Sequence, residues 1–294
     1  LLSAELEKLC FFDNTCHNTR QSEMSSKYRG LTMRKAIISI AVVTVLAAGA
    51  LFSGCGTAGL GNIVTEEKEF ADFTYVEIEG IFEVKIDQSD SFSTTVSADN
   101  NLSDYVTVSK EGDTLRICLS PRHTFTDFTL PIRTLKAVIT MPELYGLNLS
   151  GASKGTITGF KSTHDFSLGV SGASSLNMKD MEVGHAVFDV SGASKVSGTM
   201  NCKDARFEVS GASKVELEGS ADNIVLYVSG ASRADLVDFP LEDADVNLSG
   251  ASEATIHAKG RLDAILTAAS RLYFLGNPTM GDIHVSGAST LKHK

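Results

Sequence analysis

Short runs of alternating apolar and polar residues fill the second half of the chain, each keyed to one tetrapeptide. Ser-Gly-Ala-Ser begins at Ser150, Ser171, Ser191, Ser210, Ser229, Ser249 and Ser286, with a degenerate Thr-Ala-Ala-Ser at Thr267. The intervals are 21, 20, 19, 19, 20, 18 and 19 residues. One residue before each copy stand Leu149, Val170, Val190, Val209, Val228, Leu248, Leu266 and Val285. Three before stand Leu147, Leu168, Phe188, Phe207, Leu226, Val246, Ala264 and Ile283, and the residue between is mostly polar. Period-two alternation is a strand with one buried face. A second alternation follows the tetrapeptide, as in Lys214-Val215-Glu216-Leu217-Glu218, and Gly, Asp or Asn turns close most repeats.

Each repeat therefore predicts two or three short strands with a corner at Gly-Ala. Glycine there admits backbone angles closed to other residues, and alanine is small enough to sit inside the bend. No window keeps apolar residues at three- and four-residue spacing beyond a turn or so, so helices are disfavoured. A repeat this short cannot bury its apolar face alone; stacked, repeats set the same Val, Leu and Phe columns above one another. The expected coil rise is about 4.8 Å, the spacing of paired strands. A propeller needs roughly twice this period per blade, and the leucine-rich pattern is missing. The fold class is all-β, a parallel β-helix with coils of about twenty residues.

Upstream, Thr74 to Ile78, Phe82 to Ile86, Thr94 to Ala98, Val106 to Val108, Thr114 to Leu119 and Leu135 to Met141 alternate as strands without the tetrapeptide. Residues 69–145 are expected to form irregular early coils and a cap, and 146–294 the regular repeats. Pro121 to Pro131 is the longest expected loop.

The N-terminal region changes the picture of location. Met33-Arg34-Lys35, the apolar run Ala36 to Phe52 and Ser53-Gly54-Cys55 have the layout of a secretory leader. Residues 1–32 then read as an over-extended start, 33–54 as a signal peptide and 55–68 as a tether. Phe52-Ser53-Gly54-Cys55 resembles the bacterial lipobox, with Phe52 departing from its usual aliphatic residue, so Cys55 is the expected site of diacylation. Cleavage there would remove six basic and four acidic residues from totals of 26 and 36, taking the net charge from −10 to −12. An acidic exported protein excludes nucleic acid as a partner, which needs a basic footprint. Only Cys118 and Cys202 follow Cys55, and two cysteines are no disulfide framework.

Three stretches carry a family resemblance: Phe73 to Ile86, Thr114-Leu115-Arg116-Ile117, and Ile139-Thr140-Met141-Pro142-Glu143-Leu144 leading into the first tetrapeptide. From Phe70 onward the chain resembles the head GIN domain family, labelled as auto-transporter adhesins. The resemblance implies an exported, often lipid-anchored β-helix of bacteria with a double membrane. It supplies no catalytic residues. An outer-membrane lipoprotein, anchored by its N-terminal lipid and serving adhesion or glycan contact, is the expectation.

Chemistry is sparse. The densest acidic group, Asp235, Asp238, Glu242, Asp243 and Asp245, brackets Pro240 as a solvated loop would. The alternative is a carbohydrate-active β-helix enzyme, a lyase or hydrolase, which needs carboxylates at a defined separation. The histidines share no ligand spacing, and the repeated serines lack a paired His, so neither a catalytic residue, a metal site nor a cofactor is expected. One row stands out. The residue after each tetrapeptide is Lys154, Ser175, Lys195, Lys214, Arg233, Glu253, Arg271 and Thr290, five of eight basic in an acidic chain. Lys154, Lys195, Lys214, Arg233 and Arg271 are the candidate contacts for an anionic glycan, with Glu216 and Asp235 placed to neutralise Lys214 and Arg233. The bland alternative is a charged stripe that keeps an open sheet face soluble.

Overall fold

The computed structural model of the protein describes residues 62–100, 102–120 and 135–294. The expectations for the leader, Cys55 and Pro121 to Pro131 lie outside the described residues. Ahead of the repeats run β1 (Ile63–Lys68), β2 (Tyr75–Gly80), β3 (Glu83–Gln88), β4 (Ser93–Asp99), β5 (Val106–Glu111), β6 (Thr114–Leu119) and β7 (Leu135–Met141). The repeats begin with β8 (Gly146–Gly151), β9 (Lys154–Thr158), β10 (Phe166–Val170) and β11 (Ser175–Glu182). They continue as β12 (His185–Val190), β13 (Lys195–Asn201), β14 (Asp204–Val209), β15 (Lys214–Ser220), β16 (Asn223–Val228) and β17 (Arg233–Leu241). The last are β18 (Asp243–Leu248), β19 (Glu253–Ala258), β20 (Arg261–Leu266), β21 (Arg271–Leu275), β22 (Thr279–Val285) and β23 (Thr290–His293).

Even-numbered strands from β8 onward stack in one sheet and odd-numbered strands from β9 in the other, so each repeat contributes one strand to each. The result is a parallel β-solenoid. Register follows the tetrapeptide: Phe188, Phe207, Leu226 and Val246 pair in sequence, as do Val190, Val209, Val228 and Leu248. All eight are at most 1% exposed. The Phe188 and Phe207 rings lie 4.9 Å apart, tilted by 35°. A single apolar core runs between the sheets.

The corner shows why glycine recurs. Gly172, Gly192, Gly211, Gly230 and Gly250 have φ between 73° and 76°. A Cβ on Gly192 would stand 2.4 Å from the Gly172 carbonyl oxygen, too close for any other residue. The following alanine donates its N–H to the glycine carbonyl one coil earlier, at 2.7–2.9 Å from Ala173 through Ala269. The alanine does not sit inside the bend as expected. Ala173, Ala193, Ala212 and Ala231 are exposed, because the left-handed glycine turns the next side chain outward. The second serine turns inward in its place and is at most 2% exposed in every copy from Ser153 to Ser270. In several copies its hydroxyl accepts a backbone N–H across the coil boundary: Ser153 N–H donates to Ser174 Oγ at 3.2 Å, and Ser213 N–H to Ser232 Oγ at 3.3 Å.

Before the repeats the pairing changes direction. β4 runs antiparallel to both β1 and β7, and β5 runs antiparallel to β6. β3 and β2 then pass the parallel ladder on to β9 and β8. The described helical structure is one short turn at Ser103–Tyr105. Among the described residues no helix is long and apolar enough to cross a membrane.

Candidate functional site: the basic row

The residue after each corner opens the odd-numbered strand of its coil, so the row is a direct consequence of register. Lys154 pairs with Ser175, Ser175 with Lys195, Lys195 with Lys214, Lys214 with Arg233, Arg233 with Glu253 and Glu253 with Arg271. Consecutive members therefore stand about one strand spacing apart, roughly 4.8 Å at the backbone. All five basic candidates lie in this line on the outer face.

The row is longer than the tetrapeptides reveal. Glu83 on β3 pairs with both Lys154 and Lys136 on β7, adding one acid and one base at its N-terminal end. The alternation around Glu83 gives the signal for a strand. Its alignment with Lys154 has none, because no tetrapeptide precedes it. Glu83, Lys85, Lys136, Lys154, Thr156 and Lys179 line an open depression there.

Two carboxylates serve four cations farther along. Glu216 takes Lys214 at 2.8 Å and Lys195 at 3.5 Å. The Lys214 hydrogen bond, with the charges of Lys214 and Lys195, holds the Glu216 carboxyl below its ordinary range. Glu253 pairs with Arg233 and, at 3.8 Å, with Arg271. Arg233 was expected to pair with Asp235. It turns to Glu253 instead, which faces it directly across one strand spacing, whereas Asp235 is two residues along and carries a shorter side chain. Lys136 and Lys154 make no ion pair among the described residues.

The acidic group around Pro240 does not converge. Asp235 lies on β17 in one sheet and Asp243 and Asp245 on β18 in the other. Among the described residues no cluster of three His, Cys, Asp or Glu could hold a metal ion. Among the corner serines, Ser153, Ser174, Ser213 and Ser232 each accept a backbone N–H.

Residues 72–278 match the family described as "putative auto-transporter adhesin, head GIN domain". The chain belongs to the head GIN domain family. No curated protein matches the sequence. Among solved structures, an adhesin-titled protein of Parabacteroides merdae superposes with a TM-score of 0.73 at 16% identity, covering 80% of this chain and 98% of that one. An adhesin-titled protein of Parabacteroides distasonis gives 0.70 at 16%, with the same coverages. A third structure, titled "Putative lipid binding protein" and also from P. distasonis, gives 0.63 at 19%, again covering 80% and 98%. These likenesses establish the head GIN solenoid as a shared fold. The family description supports an adhesion-like role at the cell surface or envelope, and lends the lyase or hydrolase alternative nothing.

Proposed function

We propose that this head GIN protein is a non-enzymatic adhesion module of the cell envelope, held at an outer membrane through a lipid on Cys55. Its basic row engages an acidic glycan. The observation that supports this reading is the charge ratio along the row: six cations stand against Glu83, Glu216 and Glu253, and Lys136 and Lys154 make no ion pair among the described residues. Cations spaced by the strand ladder present a linear array, and an extended polyanion meets several at once. Each contact is weak in water, and their sum falls with salt.

The test is binding of polygalacturonate to the parent and to the triple variant Lys195→Gln, Lys214→Gln, Arg233→Gln at low salt. The parent should bind and the variant should bind much more weakly with its circular dichroism unchanged. Equal binding would reduce the row to a solvated face. Anchoring is read separately: Cys55→Ser should release the protein from the membrane fraction or leave the leader uncut.

A further inference from the structure

The outer face of the other sheet carries a different chemistry near its N-terminal end. Tyr75 on β2 pairs in register with Gly146 on β8. Its ring lies across that glycine: a Cβ on Gly146 would stand 2.6 Å from Tyr75 Cδ1 and 2.8 Å from Cε1. Part of the ring remains open to solvent, with Tyr75 38% exposed. Beside it Tyr145 stands edge-on, with ring centroids 6.4 Å apart and planes at 89°. Tyr145 packs in turn 4.8 Å from the His164 ring, and its hydroxyl donates to Glu143 at 2.5 Å.

Polar groups of the right kind border the ring. Asn148 is exposed two residues along β8, its side chain leaning over Gly169 on the next coil. Ser167, the partner of Gly146 on that coil, is also exposed. The surrounding charge is acidic or already matched. Arg116 is bound to Glu77 at 2.8 Å, and the ion-pair partners of Glu143 and Asp165 among the described residues are the exposed imidazoles of His164 and His185.

We propose that Tyr75, Tyr145 and Asn148 form a second binding platform, for a neutral glycan. The negative face of an aromatic ring attracts the polarised C–H groups of a pyranose, and the amide and hydroxyl beside it pair with sugar hydroxyls. Glu143 and Asp165 repel an anionic chain, which is why this surface takes a different ligand from the basic row. The platform lies on the opposite sheet and stands or falls independently of that row.

The chain has no tryptophan, so Tyr75→Trp places a single reporter at the platform and keeps an aromatic face there. This variant is titrated with hexasaccharides from β-glucan, α-glucan, mannan and chitin, and the parent is followed by saturation-transfer NMR. At least one neutral hexasaccharide should shift the indole emission at millimolar concentration. Parent affinity for it should fall roughly tenfold in Tyr75→Ala and in Asn148→Ala. It should also fall in Gly146→Ala, whose added Cβ displaces the ring without removing it. The triple Gln variant of the basic row should bind it as the parent does. No response across the panel overturns the platform, as does binding that survives both Tyr75→Ala and Asn148→Ala at an exposed position.

Discussion

Ala268 stacks on Gly250, and takes the left-handed backbone that glycine holds at the other repeat corners: φ is 64° at Ala268 and 75° at Gly250. The Ala269 N–H still donates to the Gly250 carbonyl, at 2.9 Å, so the ladder continues through an alanine that pays a conformational cost. A non-glycine residue in this region costs roughly 1–2 kcal/mol, of which glycine's greater unfolded-state freedom returns about half. Ala268→Gly should therefore stabilise the protein by about 0.5–1 kcal/mol in urea unfolding. Gly211→Ala is the converse. Its Cβ would stand 2.4 Å from the Gly192 carbonyl, so backbone must move as well, and the loss should exceed the gain at Ala268. Equal stability of both variants with the parent would mean that the corner is not strained.

The buried columns give a larger effect. Val209 is 1% exposed, between Val190 and Val228. Val209→Asp places a carboxylate where no cation can reach it, at a cost of several kcal/mol, roughly. In a solenoid each coil rests on its neighbours, so the damage spreads to adjacent coils. Hydrogen exchange should show protection lost on β12, β14 and β16 together, and soluble protein with native exchange on all three would contradict the stacking.

These columns were legible in the sequence because two constraints coincide there: the alternation gives the buried face, and the tetrapeptide gives the register. Where the second is missing, the first is not enough. Ser93 to Asp99 alternates as well as any repeat, yet nothing in it says that it runs antiparallel to β1 and β7. Glu83 was visible as an outward residue of a strand, but not as a member of the basic row. The Arg233–Glu253 pair required knowing that a neighbouring coil competes with a neighbour on the same strand. Tyr75 across Gly146 was hidden for the same reason, since its partner lies 71 residues on and is recognisable only once β2 is set beside β8.

Cys202 is free and half-buried, and desolvation, reinforced by the nearby Asp204 and Asp222, pushes its thiol up to about 12. The native thiol is then almost entirely protonated at pH 8, with roughly one part in ten thousand as thiolate. Iodoacetamide should modify it in urea and leave it nearly untouched in the folded protein. The linkage has a definite sign. A pKa raised by folding stabilises fully below the unfolded value, about 8.5–9, and that contribution is lost as pH rises toward 12. Cys202→Ser should flatten stability across this alkaline window, and rapid native alkylation at pH 8 would refute the assignment.

Glu216 offers a test of the basic row that adds charge to it. Its carboxylate sits between Lys195 and Lys214, at 3.5 and 2.8 Å, and is 47% exposed. Exposed pairs of this kind contribute little to stability, about 0–1 kcal/mol, so Glu216→Gln should unfold within that range of the parent. Its effect on the surface field is larger. The change leaves both lysines without their carboxylate and raises the net charge of the row by one, in the stretch where a polyanion would lie. Binding to polygalacturonate should strengthen, and the loss of affinity with added salt should become steeper, because each further neutralised contact adds to the electrostatic share. The triple Gln variant must move the opposite way on the same polymer. If Glu216→Gln leaves affinity and salt dependence where they were, the polymer does not follow this line, whatever the triple variant does by loss of general positive charge.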